Sequence, residues 1–486
     1  MKNLGVLLIC TAMLLPIFST GGGVHGRPDD GAHGDAAATS LSSSQGHIGP
    51  VSWWVDTVDT EGNTGRYTSV AVDANGWPHI SYCREDDGGY VKYARWTDRA
   101  WETAILAEGS GGENGNMLAT AIALDDQDNP YIAYARPPGE VICTRWNGEQ
   151  WIYDTVYVGD GVYGSVGIAL DADQHPHISY SDGYGARRMR YAFWDGTAWH
   201  NEVVDPEGIG GVHNTLMLDA DGRPHVAYTN VAHRTIRYAM RNENGTWQAE
   251  TVDTGASGYL LYPAVDVDVD GRPHVGYYDT GSYDLRYAYK AQGTWRRETV
   301  ISGENVCYSY SLALDIHDSP HFMCQDVDAK DLIYVYREGD TWIHETVDAE
   351  GAVGCCSDIV FDAHDRACIS YRDEGMGDLK FARAQTLSME LSQPQPGVYV
   401  YNNRLMPFPV PVAFGPVDIM VAIEDNVNDI VSLQLYVNGE AKTRLDEAPY
   451  TWRFAEPAYG KCCIVAVSHD TAGDYGIAAA TIWKFF

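Results

Sequence analysis

Arginine side chains that could bind an anion stand at one recurring position of the chain. A ten-residue phrase, first present at Asp73–Tyr82, returns along the sequence, and Arg84, Arg136 and Arg372 each stand within two residues of the end of a copy. A guanidinium group binds a carboxylate through two parallel hydrogen bonds. Three such groups around one opening would suit the carboxylate of an acidic sugar, although exposed loops also carry charges without any ligand.

Other residues that enter or leave the phrase differ from copy to copy, as expected for a surface that recognises a ligand. Tyrosines at the entry could stack on the ring of a sugar. The candidate ligand-binding residues are Tyr67, Arg84, Arg136, His213, Tyr262, Asp279, Asp326 and Arg372. No catalytic residue is assigned, because no spacing selects the paired carboxylates or the tyrosine nucleophile of a glycosidase from candidates such as Glu85, Asp86, Tyr67 and His213.

A histidine recurs inside the phrase. It is present as His79, His177, His225, His274 and His321. A catalytic or metal-binding residue is needed once, whereas a structural residue is needed in every repeat. We therefore expect each histidine to hydrogen-bond a turn or a neighbouring repeat.

The acidic stretch Asp266–Gly271 resembles the start of a calcium loop. It lacks the downstream glutamate that completes such a loop. Turns in which an aspartate side chain accepts backbone hydrogen bonds explain the same pattern in the other copies. No cofactor and no metal ligand are assigned, and calcium binding remains the alternative for this stretch.

The phrase itself defines the architecture that must position these residues. Its seven copies begin at Asp73, Asp125, Asp171, Asp219, Asp268, Asp315 and Asp362, with spacings of 46 to 52 residues. Alternating apolar residues on both sides of an Asp/Asn/Gly cluster indicate a β-hairpin. Two further strand-like runs follow in each repeat, the last of them opening with tryptophan. Four antiparallel strands in such a period predict a propeller blade.

The two ends of the repeat region complement each other. The seventh copy lacks a fourth strand, and Trp53–Asp59 near the N-terminus closely matches the fourth strand Trp342–Asp348 of the sixth. An N-terminal strand that completes the last blade leaves no exposed sheet edge. The sequence therefore predicts an all-β chain with a seven-bladed β-propeller closed by an N-terminal strand, plus a C-terminal immunoglobulin-like β-sandwich.

Composition divides the chain further. We expect a signal peptide at 1–23, a disordered linker at 24–51, the propeller at 52–387, a second linker at 388–416 and the immunoglobulin-like domain at 417–486. A single anchoring helix is the alternative for the apolar N-terminus, but its apolar run is short for a membrane span. The net charge of −34 argues against nucleic acid and anionic membranes as partners.

Nine of the ten cysteines follow the expected signal peptide, so at least one is unpaired. Cys307, Cys355 and Cys356 enter the sixth and seventh repeats, and Cys324 ends the second strand of the sixth. Propeller geometry places these positions on one face, where a disulfide could form in an oxidising compartment. A zinc site is the alternative, but no CxxC pair supports it.

The repeats over Ser52–Gln385 resemble secreted propellers of the sialidase-like and Asp-box type and seven-bladed lectins. The resemblance lies in the architecture, because the Asp/Gly turn here joins the first and second strands and is followed by Pro-His. In the tail, the turn clusters Val437–Gly439, Ala448–Trp452 and Asp470–Asp474 resemble bacterial immunoglobulin-like domains.

These features predict a secreted or cell-surface binding protein without catalytic activity, whose propeller recognises carbohydrate or a protein surface. One alternative is a glycan-active enzyme, either a sialidase-like hydrolase or a polysaccharide lyase, that works at the arginine-bearing face. The other is a structural protein of the cell envelope. A propeller fold alone does not decide among the three.

Overall fold

The computed structural model describes residues 52–486 except 87–88, 98–99, 110–118, 137, 163, 184–187, 207–209, 212, 256–258, 304–305, 386–387, 425–429 and 471–474. The expected signal peptide and first linker therefore lie outside the described residues. All regular elements named in the described part are β-strands. Within that part, no helix has the length and apolar character needed to cross a membrane.

Seven four-stranded antiparallel sheets follow one another from Ser52 to Gln385. Strand β1 (Ser52–Asp59) is the first strand of the described residues. Sheet 1 has β2 (Arg66–Val72), β3 (Pro78–Arg84), β4 (Tyr90–Trp96) and β5 (Trp101–Glu108). Sheet 2 has β6 (Thr120–Leu124), β7 (Pro130–Arg136), β8 (Glu140–Trp146) and β9 (Trp151–Val158). Sheet 3 has β10 (Gly167–Leu170), β11 (Pro176–Asp182), β12 (Arg188–Trp194) and β13 (Trp199–Val203).

Sheet 4 has β14 (Asn214–Leu218), β15 (Pro224–Asn230), β16 (Thr235–Arg241) and β17 (Trp247–Thr254). Sheet 5 has β18 (Leu260–Val267), β19 (Pro273–Asp279), β20 (Asp284–Ala291) and β21 (Thr294–Ile301). Sheet 6 has β22 (Val306–Leu314), β23 (Pro320–Asp326), β24 (Leu332–Glu338) and β25 (Thr341–Asp348). Sheet 7 has β26 (Val353–Phe361), β27 (Ala367–Asp373) and β28 (Asp378–Gln385), and its fourth strand is β1.

The partner of β1 is the strand that the sequence pattern predicted. It pairs antiparallel with β28, with Trp54 opposite Arg383 and Val55 opposite Ala382. The first strands of successive sheets lie beside one another, and β26 of sheet 7 also contacts β2 of sheet 1.

Seven apolar clusters hold the sheets together, and each cluster draws its residues from two consecutive sheets. Between sheets 1 and 2, for example, Val91 and Leu106 pack with Ile132. The cluster between sheets 7 and 1 joins Trp54 and Phe381 to residues of sheet 1 such as Ile80. The other five clusters fill the remaining junctions in the same way. The core of this region therefore lies between sheets rather than inside any one of them.

The repeated aspartate caps the turn between the first and second strands, which confirms the turn interpretation. In the first copy, Asp73 Oδ1 accepts hydrogen bonds from the backbone N–H groups of Asn75 at 2.9 Å and Trp77 at 2.7 Å. All seven copies make the same two bonds. The aspartate thus satisfies backbone groups that the tight turn would otherwise leave unpaired.

The repeated histidine hydrogen-bonds this turn, as the sequence predicted. In sheet 4, His225 Nε2 lies 3.2 Å from Asp219 Oδ2, and its Nδ1 lies 2.6 Å from the Tyr238 hydroxyl. The same Asp–His–Tyr arrangement is present in sheets 1, 3, 5 and 6. Burial, opposed by Asp219, lowers the pKa of His225. These buried triads hold the second strand to the turn and to the third strand.

A second set of carboxylates, which we call the junction aspartates and of which all but the partly buried Asp253 are buried, links neighbouring sheets. They are located in or just after the fourth strand of a sheet and comprise Asp59, Asp205, Asp253 and Asp348. Asp59 accepts a hydrogen bond of 2.6 Å from Tyr82 and forms an ion pair of 2.5 Å with Lys92, both in the next sheet. Burial alone would raise the pKa of Asp59, but the hydrogen bonds from Lys92 and Tyr82 lower it.

The other junction aspartates repeat this arrangement with other cations. Asp205 binds Tyr228 at 2.6 Å and Arg237 at 2.9 Å. Asp253 binds Tyr277 at 2.6 Å and Arg297 at 3.3 Å. Asp348 binds Tyr371 at 2.7 Å and also pairs with Lys380. Since Asp59 belongs to β1, its ion pair with Lys92 ties sheet 7 to sheet 1.

We expect Asp348→Ala to destabilise the protein by about 3–5 kcal/mol, because it leaves the buried Lys380 ammonium without its paired carboxylate. The double variant Asp348→Leu/Lys380→Met should recover most of this loss, since it removes both charges together. Urea unfolding measures both effects. Glu102→Ala, which breaks an exposed pair with Arg95, should change the free energy of unfolding by less than about 1 kcal/mol. Equal losses in the single and double variants would contradict the ion-pair explanation.

The first strands of neighbouring sheets, which we call the inner strands, are also joined by hydrogen bonds. In each of these bonds, an aspartate side chain of one strand accepts a backbone N–H of the other. Asp358 of β26 accepts the Val70 N–H of β2 at 3.0 Å, and Asp266 of β18 accepts the Leu314 N–H of β22 at 2.8 Å. Burial raises the pKa of each carboxyl to about 6, and these hydrogen bonds only partly oppose it. A folded-state pKa above the unfolded value means that the folded protein binds more protons between the two values.

The contribution of Asp358 to stability should therefore fall as the pH rises from about 4 to about 6, the interval between its ordinary and its raised pKa. Asp358→Asn keeps an oxygen for the Val70 N–H but cannot ionise. Its stability relative to the native protein should increase across this interval and then stay constant. Urea unfolding at pH values from 4 to 7 tests this, with Asp340→Asn on an exposed turn as control. A constant difference between Asp358→Asn and the native protein at all pH values would contradict the prediction.

The chain from Ser388 onward forms two further sheets. A three-stranded sheet has β29 (Ser388–Gln393), β33 (Val417–Glu424) and β36 (Tyr450–Phe454). A seven-stranded sheet has β30 (Gly397–Val400), β31 (Asn403–Met406), β32 (Pro411–Phe414), β34 (Ile430–Val437), β35 (Glu440–Leu445), β37 (Tyr459–Asp470) and β38 (Tyr475–Phe485). Ile419, Leu435, Phe454 and Ile464 are among the residues of their shared core.

Residues 388–416, expected to be a linker, thus contribute four strands to these sheets. Their Pro- and Gly-rich composition suggested a tether, but β29 pairs with β33, and β32 pairs parallel with β38. Successive side chains of strand β37 point to opposite faces, and this accounts for the different environments of the adjacent cysteines in the tail. Cys462 points into the module's core and Cys463 is exposed, while Val465 and Val467 pack against the apolar cluster between sheets 7 and 1.

Candidate functional site

Two of the three arginines that were predicted to bind a ligand are buried and form ion pairs. Arg84, at the end of β3, is 7% exposed, lies 3.2 Å from Glu61 and 3.1 Å from Asp86, and stacks over Tyr90. Arg372, at the end of β27, is 5% exposed and lies 3.7 Å from Glu85. Acidic neighbours thus compensate both charges.

The third arginine, Arg136, lies in a different environment at the end of β7. Its side chain is 39% exposed and pairs with Glu140, at 2.7 Å from Nε to Oε2. The guanidinium group therefore faces solvent on part of its surface.

Two of the predicted aspartates are engaged in turns. Asp279 accepts the Gly281 N–H at 2.8 Å, and Asp326 accepts the Asp328 N–H at 2.9 Å. Each aspartate is the last residue of a second strand, and its carboxylate holds the loop that leaves the strand. These contacts give both residues a local structural role.

The predicted aromatic residues stand where the inner strands are irregular. Tyr67 and Tyr262 have φ values of 50° and 53°, next to register shifts in β2 and β18, and their side chains are 40% and 37% exposed. Cys356 has the same conformation at the corresponding shift in β26, with φ of 55°. Positive φ is unusual for side-chain-bearing residues and turns these side chains away from the regular strand direction.

His213 packs directly on Tyr262, with ring centroids 3.8 Å apart. Burial lowers the pKa of His213 to about 4. At neutral pH this histidine is therefore a neutral ring that widens the aromatic surface of Tyr262.

We predict that His213 stays uncharged from pH 8 down to about pH 5, because its folded-state pKa is about 4. The ring resonances of His213, assigned with His213→Gln, should be unchanged over this range in an NMR titration. A midpoint above pH 5 would contradict the prediction.

A groove between sheets 1 and 2 is an aromatic surface that sequence reasoning missed. Its volume is about 540 Å³, and its tryptophans Trp77, Trp96, Trp146 and Trp151 are all partly exposed. Trp96 and Trp146 end third strands, whereas Trp151 opens a fourth strand. Trp151 also packs edge-on against Tyr93 at 5.3 Å between centroids.

Polar groups lie beside these rings. Arg95 Nε and Nη2 contact Glu102 Oε2 at 3.0 and 2.7 Å, and both side chains are about half exposed. Asn129 binds the turn aspartate Asp125 through its side-chain amide at 3.1 Å. The groove therefore combines flat apolar faces with hydrogen-bonding groups held in place by their own partners.

Comparable grooves lie at two other junctions. One of about 680 Å³ lies between sheets 4 and 5, lined by Tyr238, Glu250 and Lys290 among others. Another of about 320 Å³ lies between sheets 5 and 6, where Tyr287, Tyr289 and Arg337 contribute. The repeated sheet thus generates repeated surface grooves with different side chains.

A signal for these grooves was present in the sequence. A tryptophan opens most fourth strands, and a second one often ends the strand before it, as in Trp96–Trp101, Trp146–Trp151 and Trp194–Trp199. Each such pair meets edge-on across its hairpin, at 5.5 to 5.8 Å. Which pair lines an open groove depends on how the next sheet packs, and spacing alone does not show that.

Comparison with known proteins bears on the fold. No family model matches the chain, and no curated protein matches its sequence. A lectin of Burkholderia pseudomallei is similar in structure, with a TM-score of 0.53, 10% identity, and coverage of 66% of this chain and 96% of that one.

Two further solved structures are similar at a lower level. The extracellular domain of a one-component system of B. thetaiotaomicron has a TM-score of 0.46 and 11% identity, and the match covers 90% of this chain and 58% of that one. The fucose-specific lectin of Aleuria aurantia has a TM-score of 0.41 and 13% identity, with coverage of 59% and 96%. The likeness to the Burkholderia lectin shows a fold of repeated four-stranded sheets of the β-propeller type.

Proposed function

We propose that the protein is an extracellular, non-catalytic carbohydrate-binding protein. The observation that carries this proposal is the groove between sheets 1 and 2, with its four partly exposed tryptophans beside the Arg95–Glu102 pair. The C–H faces of a sugar ring pack against aromatic rings, and its hydroxyl groups accept and donate hydrogen bonds to charged side chains. The Burkholderia relative in fold is a lectin, which agrees with this ligand class.

The proposed architecture is a seven-bladed propeller in which each four-stranded sheet is one blade. Pairing of β1 with β28 and packing of sheet 7 against sheet 1 support a closed ring. Repeated grooves on such a ring would bind several branches of one glycan, which raises avidity without new contacts. The C-terminal module from Ser388 onward is proposed to be an immunoglobulin-like sandwich that abuts the propeller.

The predicted residues at the inner-strand ends form a second proposed surface for the same function. Tyr67 and Tyr262 offer exposed aromatic faces, and the partly buried His213 packs against Tyr262. Arg136 is the most exposed of the three predicted arginines, so an acidic sugar would bind there more easily than at Arg84 or Arg372. The proposed signal peptide at 1–23 and linker at 24–51 would deliver this module to the cell surface or the medium.

Trp146→Ala should weaken glycan binding, because it removes one aromatic wall of the groove between sheets 1 and 2. An aromatic contact of about 0.5–1.5 kcal/mol corresponds to a loss of about two- to tenfold in affinity. A glycan array with the chain from Ser52 onward identifies a bound glycan, and calorimetry with that glycan then compares the variants.

Trp194→Ala is the matched control. Trp194 ends the third strand of sheet 3 and meets Trp199 edge-on, as Trp146 meets Trp151, but it does not line any of the three grooves described above. Its loss should cost similar stability and leave binding unchanged. Equal binding by both variants would reject the groove, and an array without any bound glycan would reject the carbohydrate function.

A further inference from the structure

Two adjacent cysteines occupy the irregular position of β26. The Sγ atoms of Cys355 and Cys356 are 3.3 Å apart, and both side chains are partly exposed. Cys356 stands where Tyr67 and Tyr262 stand in their own strands, with a φ of 55°. The two thiols are therefore in contact at the end of an inner strand rather than buried in a core.

Two arginines, Arg66 and Arg372, lie near the pair, and both also contact Glu85, at 3.0 and 3.7 Å. Arg372 is the cross-strand partner of Cys355. A hydrogen bond from Cys355, a backbone hydrogen bond from Tyr67 and the charges of Arg66 and Arg372 lower the pKa of Cys356 to about 7, although burial opposes them. The lowered pKa favours the thiolate of Cys356, and the thiolate is the reactive form of cysteine.

Other cysteines that the structure describes have the opposite character. Burial raises the pKa of Cys83, Cys143 and Cys368. In the C-terminal module, burial raises the pKa of Cys462 and Cys463 as well. These cysteines serve as internal references for the reactivity of the Cys355–Cys356 pair.

We propose that Cys355 and Cys356 are a redox-active dithiol that forms a disulfide between the two adjacent residues by exchange with a low-molecular-weight disulfide. The Cys356 thiolate attacks one sulfur of the small disulfide, forms a mixed disulfide and releases the first small thiolate. The Cys355 sulfur, after losing its proton to water, then attacks Cys356 Sγ and releases the second small thiolate. The protein loses two electrons and two protons, and the small disulfide is reduced to two thiols.

Reversal of this reaction is favoured by the backbone geometry. The peptide bond between the two cysteines is not among the cis bonds of the chain, so their Cα atoms are about 3.8 Å apart. Ordinary disulfides need Cα separations of about 4.4–6.8 Å, and bonds that depart from this geometry are more easily reduced. The bond would therefore be one that forms and breaks, in contrast to a permanent structural crosslink.

Peptide mapping of the reduced protein after incubation with oxidised glutathione tests the proposal. Mass spectrometry should find a peptide in which Cys355 and Cys356 together have lost two hydrogens and resist alkylation, and excess reduced glutathione should restore both thiols. Cys355→Ser should instead hold glutathione on Cys356, because the second step lacks its nucleophile. Unmodified Cys355 and Cys356, or a disulfide from either one to another cysteine, would overturn the proposal.

Cys463→Ser is the control, since it removes an exposed thiol of the C-terminal module and should leave the reaction unchanged. Alkylation of Cys356 in the native protein adds a readout that needs no variant. Its rate should rise about tenfold per pH unit below pH 7 and level off above it, because only the thiolate reacts. A rate that still rises steeply at pH 9 would remove the basis for the first step.

Discussion

Burial between neighbouring sheets is the constraint on which the rest of this structure depends. A four-stranded sheet of about thirty residues cannot bury both of its faces by itself, so each sheet needs a neighbour on either side. The seven apolar clusters satisfy this need at every junction, including the one where Trp54 and Phe381 meet Ile80. The pairing of β1 with β28 follows from the same constraint, because sheet 7 would otherwise end in an unpaired strand beside its neighbours.

Polar contacts determine the register in which these apolar surfaces pack. Apolar surfaces of similar shape can slide past one another, whereas a junction aspartate with its tyrosine and cation defines one register between two sheets. Asp205 with Tyr228 and Arg237 is an example. The Asp–His–Tyr triads act within five of the seven sheets, and the junction aspartates act between sheets. Other residues differ from sheet to sheet, and they line the grooves together with triad residues such as His79 and Tyr93.

The parts of the fold that depend on nearby residues were predictable from the sequence. The turn at Asp73, the bond from His225 to its turn and the position of Trp53–Asp59 as an added strand all follow from short, repeated patterns. The junction aspartates were missed, since their partners lie in another repeat and the carboxylate looks like any other strand end. The groove at Trp146 was missed for the same reason, and the strands in 388–416 were hidden by a composition that is typical of a tether.

The pairing of β1 with β28 also bears on the order in which the protein is made. Trp54 pairs with Arg383, so β1 waits for a strand that follows more than three hundred residues later. Contacts this distant in sequence slow folding, because a long loop must close before they form. Sheets 1 to 6 can assemble as they emerge, but the seam between the two ends must form last. A partly synthesised chain would therefore leave β1 without its partner until residues 378–385 had been made.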